Sequence, residues 1–282
     1  GNNNSAFGYG AMGASNHSSY NTAMGYNALF FNQGFSNTAI GHESMFNSNN
    51  SGGNTAVGYQ SLFNAYGGGY NTAIGFFAIQ MGGSNNTTAV GAYALQNSIG
   101  NGNTATGFEA MRTATDGSYN TANGYQSLKS NSSGNNNSVF GYSAMSDGNA
   151  GNNNTAMGFQ SLKLNTSNNN TAIGYNTLNN NQGGANNTAI GYQSQYLNSS
   201  GNYNTSVGGD TLYSNTTGGS LTAVGNAALN MNSSGMENTA VGGNALRANI
   251  TGNYNTANGF KALELQTYGD YNTALGHYAL NS

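Results

Sequence analysis

Apolar residues along the chain come in short, evenly spaced bursts separated by polar stretches of Asn, Ser, Thr and Gly. One five-residue phrase, Asn-Thr-Ala-apolar-Gly, marks each burst, as in Asn21-Thr22-Ala23-Met24-Gly25, Asn71-Thr72-Ala73-Ile74-Gly75, Asn170-Thr171-Ala172-Ile173-Gly174 and Asn272-Thr273-Ala274-Leu275-Gly276. The phrase occurs seventeen times, and its closing glycines, from Gly8 and Gly25 to Gly259 and Gly276, stand 16 or 17 residues apart. A fixed period of this length is the signature of a repeat architecture. No stretch escapes it, so residues 1–282 are expected to form a single repeat array without a second domain or a linker.

Aligning the copies turns each position into a column. The last column is Gly throughout, as expected where the backbone needs positive φ or where a neighbouring chain passes too close for a Cβ. The second column always carries a hydroxyl, and the fourth is apolar apart from Thr106, Asn123 and Asn258. Strand periodicity puts these two columns on one face and Ala on the other. After the Gly comes usually Tyr or Phe, then a mostly polar residue, then always Ala, Ser or Thr, then Leu, Met or Ile except at Gln195. Ala28-Leu29 and Ser61-Leu62 are examples of this second element. Plain alternation there does not separate an inside from an outside, which predicts a corner or bulge. What remains of each copy, such as Asn131-Ser132-Ser133-Gly134, is turn chemistry.

A unit this small buries nothing alone and must stack on its neighbours. Short strands bounded by Gly and Asn, with no room for a helix, predict an all-β fold: a parallel β-solenoid or β-roll of about 17 coils of 16–17 residues. At ~4.8 Å per coil that makes a rod roughly 80 Å long. Stacking turns columns into ladders, so Asn side chains bond one another along the axis. The Leu, Ile and Val columns are expected to form a continuous narrow core. The Ala face is expected outside, flat and uncharged, suited to close packing against another copy of the chain. The lack of Pro fits, because a central strand cannot lose its N–H donor.

Composition narrows the functional classes. Five basic and eight acidic residues give a net charge of -3. That leaves neither a nucleic-acid footprint nor a basic membrane-binding surface. Hydrophobic residues at 36% and so little charge argue against disorder. With no Cys there is no disulfide framework and no thiolate metal site. No apolar run approaches the ~20 residues that span a bilayer, so membrane insertion is not expected. The chain opens with Gly1-Asn2-Asn3-Asn4 and is expected to be a processed product or an excerpt.

The phrase NTAIGY, followed by small-Leu and an Asn/Gly-rich turn, resembles the head repeats of trimeric autotransporter adhesins and the repeat arrays of phage tail-fibre-like proteins. The resemblance covers residues 1–282. It implies a left-handed parallel β-roll assembled as a homotrimer, displayed outside the cell or on a virion and used for attachment. The repeats are longer than those of typical adhesin heads, and residues 1–282 contain no coiled-coil heptad, membrane anchor or C-terminal chaperone domain.

Candidate chemistry is sparse. Glu43, Glu109 and Asp210 share a column in copies three, seven and thirteen, roughly 19 and 29 Å apart at the ladder spacing, too far for paired-carboxylate hydrolysis. Glu264 and Asp270 read as solvated surface charge. His42 and His277 stand in the Tyr/Phe column as substitutes for a packed ring, His17 lies elsewhere, and the three form no ligand cluster. Gly8-Tyr9-Gly10-Ala11-Met12-Gly13 matches a dinucleotide fingerprint by letter but lies inside the first copy, with no βαβ unit around it. Arg112, Lys129, Lys163 and Arg247 share a column and read as exposed solubilising charge. The complete Thr/Ser column raises ice binding, although its sharing a face with Ile and Val suggests that it points inward or into an interface.

The sequence therefore predicts an extracellular structural fibre segment, on a phage tail fibre or a cell surface, that mediates attachment. No catalytic, cofactor or metal residue is assigned, and no cofactor is expected. The expected partners are further copies of itself, as a homotrimer or filament, and a cell-surface glycan met through exposed Tyr, Asn and Ser, with no individual residue nominated. Two other readings accompany it: a subunit polymerising head to tail through uncapped terminal coils, and an ice-binding solenoid.

Overall fold

The computed structural model describes residues 1–64 and 66–281. The chain is an all-β parallel β-solenoid of about 16–17 turns. Its contacts divide it into two compact units, Gly1–Val139 and Phe140–Ser282. In the first, the three-residue strands Thr22–Met24, Thr38–Ile40, Thr55–Val57, Thr72–Ile74 and Thr88–Val90 pair in parallel, Thr on Thr and Ala on Ala. In the second, the same ladder runs through Thr155–Met157, Thr171–Ile173, Thr188–Ile190 and on to Thr273–Leu275. A shorter ladder joins Phe31–Asn32 to Asn47–Ser48.

The corner glycines are required twice over. Gly75 has φ +140°, and a Cβ there would lie 2.5 Å from the carbonyl oxygen of Gly91 in the next coil. Both the backbone conformation and the close stacking therefore exclude a side chain.

The second element is a turn rather than a strand. Left-handed residues recur at the second and fourth positions after the glycine, as at Gln60 (φ 47°) and Leu62 (φ 49°), and again just before the Asn, as at Tyr70 (φ 60°). Each costs about 1–2 kcal/mol relative to right-handed backbone. Bonds between coils offset that cost: Gln60 N–H donates to His42 O in the preceding coil at 3.0 Å, and Leu62 N–H donates to Ala78 O in the following one at 2.9 Å. Because the chain twists at every second residue, the small residue and the Leu beside it both turn inward. Ala94 and Leu95 are each fully buried. This is the bend that defeated simple alternation.

The interior differs from the expected one. The Leu, Met and Ile of the second element are core, from Leu29 to Leu263. In the strands, however, Ala is buried from Ala23 to Ala274, whereas the apolar column points out: Met24 is 48% exposed, Ile74 41% and Val207 37%. Opposite the strand, the Leu column already fills a narrow interior, and the space between takes a small side chain, Ala in most coils, Ser206 in one and Val139 in another. The Ala face is therefore internal, and the Thr and Ile/Val columns form the outer face of the sheet.

Polar ladders run beside this core. The backbone N–H of Asn37, Asn54 and Asn71 each donates to Oδ1 of the Asn one coil earlier, at 2.8–2.9 Å. Their Nδ2 groups donate to turn carbonyls of the next coil, Asn37 to Ser51 O and Asn71 to Ser84 O. A second seam in the other unit links Asn181, Asn198, Asn215, Asn232 and Asn249 side chain to side chain at 2.9–3.0 Å. The expected axial Asn bonding is thus present, and it satisfies turn groups that would otherwise be buried without partners.

Candidate functional site

The outer strand face carries three parallel columns: half-buried to exposed Thr, exposed Ile, Val or Met, and, past the glycine corner, a ridge of aromatic rings. In the first unit Tyr9, Tyr26, His42, Tyr59 and Phe76 stack in sequence, with centroids 4.9–5.4 Å apart. In the second, Tyr142, Phe159, Tyr175 and Tyr192 stack at 5.1–5.4 Å. Phe260 and His277 stack at 5.3 Å. His42 and His277 thus occupy ring positions, as their column suggested. Along this ridge each ring face is covered by the next ring, so a ligand meets ring edges and phenol oxygens rather than faces.

Among the described residues, Glu109 is the carboxylate with three side-chain partners. Glu109 accepts from Arg112 Nη1 at 2.6 Å, Lys129 Nζ at 2.8 Å and Gln126 Nε2 at 2.7 Å. Burial alone would raise its pKa, but the hydrogen bonds from Lys129 and Gln126 and the charges of Lys129 and Arg112 bring it below the ordinary value. From Arg112 a relay of side chains runs through Gln96, Gln80 and Gln60 to Glu43, each donating to the next at 2.7–3.1 Å. Glu43 and Glu109 are thus opposite ends of one structural network, while Asp210 lies in the other unit.

The basic column is not simply solvated charge: Arg112 and Lys129 belong to this network, and Lys163 Nζ lies 3.5 Å from Asp147. Glu264 is also not a solvated group, being largely buried and 3.3 Å from Lys261 Nζ. Asp270 accepts from the backbone N–H of Asn253 at 2.6 Å. In the Gly8–Gly13 segment, Gly13 N–H donates to Gly10 O, an ordinary turn of the first coil. Among the described residues no three metal-ligating side chains gather.

Among the described residues, hollows indent the surface between coils. Phe31, Gln33, Asn47 and neighbours line one of about 460 Å³, and Tyr66, Met81, Ile99 and Thr115 line part of another of about 600 Å³. A third, of about 210 Å³, lies among Tyr203, Thr217, Ser220, Met236 and Glu237. Sequence reasoning nominated none of these residues, because loops from three or four successive coils build each hollow and a single copy of the repeat carries no sign of it. Compared with known proteins, the chain matches no protein-family model and none of the curated proteins.

Proposed function

We propose that the chain is a structural fibre segment, displayed outside a cell or on a virion, that assembles as a homotrimer along its outer strand face and serves attachment. The observation that carries this reading is the exposed apolar column. Met24, Ile40, Ile74 and Val90 in one unit, and Met157, Ile190, Val207 and Val224 in the other, are each more than one-third exposed on a regular sheet. Contiguous apolar surface of this kind marks an interface. Its one-to-one strand register gives every copy an identical, self-complementary stripe. The number three and the extracellular setting follow the likeness of the NTAIGY repeat to adhesin heads and tail-fibre arrays. An uncharged outer surface of Asn, Ser, Thr and Tyr suits hydrogen bonding to a glycan.

Placing Glu at Ile40, Ile74 and Val90 tests the interface. The account expects the triple variant to sediment as folded monomers, and an unchanged assembly mass would refute this face as the contact.

The Thr column favours a second reading. It faces outward beside Ile and Val, contrary to the inward orientation that weighed against ice binding. A monomeric protein with measurable thermal hysteresis, lost on replacing Thr72 and Thr88 with larger residues, would support ice binding over the fibre.

A further inference from the structure

We infer that the hollow formed by Tyr203, Thr217, Ser220, Met236 and Glu237 is a binding site for one pyranose unit of a glycan. The inference rests on the attachment reading and gives it a location. Tyr203, Ser220 and Glu237 occupy the same column in three successive coils, immediately before the Asn column, where Leu221 replaces Asn after Ser220. All three are left-handed, with φ of 59°, 57° and 56°. Ser220 N–H donates to Asn202 O at 2.9 Å and Glu237 N–H to Gly219 O at 3.1 Å, so their spacing is set by the ladder.

Where this column carries rings in consecutive coils, they stack: Tyr254 and Tyr271 lie 4.8 Å apart with planes 2° from parallel. Ser220 leaves one such rung without a ring. A six-membered ring in that place would lie about one coil, ~4.8 Å, from Tyr203. The vacant volume, about 210 Å³, holds one sugar.

The surrounding polar groups favour a sugar over a purely aromatic guest. Thr217, Ser220, Tyr203 and Glu237, which bring two hydroxyls, a phenol and a carboxylate, all line the hollow, and none of these side chains has a hydrogen bond or ion pair to another described residue. An apolar ring would leave these groups without new partners, whereas a pyranose offers several hydroxyls to them and an apolar C–H face to Tyr203. Met236 supplies an adaptable wall. Other tyrosines of the column lack this arrangement. In the coil that follows, Tyr70 and Tyr119 meet Asn86 and Asn136 in this column, where Tyr203 meets the small Ser220.

Saturation-transfer NMR on the full chain with galactose, glucose, mannose and N-acetylglucosamine tests the site, with sedimentation run on the same samples. At least one sugar is expected to receive saturation on its ring protons. Y203A should weaken it roughly tenfold, E237Q should weaken it several-fold, and Y119A should leave it unchanged. A sugar bound equally by wild type, Y203A and E237Q would overturn the site while leaving attachment intact. Absence of binding by a trimeric wild type would overturn the site but not the fibre. Absence of binding by a monomer would remove both.

Discussion

Gln195 Nε2 donates to Ser206 Oγ at 2.7 Å in the interior of the second unit. The bond joins the one amide in the Leu column to the one hydroxyl in the Ala column, in adjacent coils. Ser206 Oγ also lies 2.6 Å from Ser194 Oγ, and Gln195 Oε1 is buried without a partner. The two departures from the repeat therefore answer each other.

A double-mutant cycle measures that dependence. S206A should cost about 1–3 kcal/mol, because it removes the shorter of the two hydrogen bonds that Nε2 of the buried Gln195 donates, leaving only the one to Thr188 O. Q195L in the S206A background should restore or exceed wild-type stability, since a well-packed apolar pair replaces a half-satisfied polar one. Chemical denaturation of the four proteins gives the coupling, expected at roughly 0.5–3 kcal/mol. Additive effects would show that the two substitutions are unrelated.

The inside and outside of the coil are tested by paired truncations. Leu95 is fully buried, and L95A should cost about 2–5 kcal/mol. Val90, one-third exposed, should cost less than about 1 kcal/mol in V90A under conditions where the chain is monomeric. Comparable losses would contradict the assignment of Ala rather than Ile/Val to the interior.

Much of this arrangement is legible in the sequence, and the part that is not has a physical cause. The period, the glycine corners, the axial Asn bonding and the Leu column all follow from residue type and spacing. The orientation of the strand does not, because hydrophobicity alone places Ile74 inside and Ala73 outside. The inward side of the strand faces a core already occupied by buried residues such as Ile79, and in nearly every coil it takes a side chain no larger than Ala or Ser. The second element also hides its geometry: Gln60 and Leu62 adopt left-handed backbone without being Gly or Asn, stabilised by bonds to neighbouring coils that no single copy reveals. Likewise, the hollow at Tyr203 exists only because Ser220 and Glu237 follow it in space.

Glu109 should give stability a defined acid limb. Its pKa is lowered in the folded protein, so its contribution is fully present above the ordinary glutamate value, about 4.3, and disappears as pH falls through the lowered folded value. E109Q should lose about 1–2 kcal/mol at neutral pH, a modest figure because Arg112 and Lys129 are each about one-third exposed and solvent screens them. Stability measured from pH 7 to pH 3 should converge for the two proteins at the acid end. A constant gap across that range would contradict the role given to the carboxylate.

A methyl group at a corner should be far more damaging than its size suggests. G75A forces a side chain into φ +140° and toward Gly91 O. A loss above about 3 kcal/mol is expected, with hydrogen exchange accelerated first in the coils on either side. Uniformly unchanged protection would mean that the corner is less rigid than its geometry implies.

The most direct test of the fibre reading is the mass of the intact protein in solution, by light scattering combined with sedimentation. The account predicts a particle near three times 28.9 kDa, held together by the outer Ile/Val column. A stable monomer at concentrations well above micromolar, with that column bare to water, would contradict it.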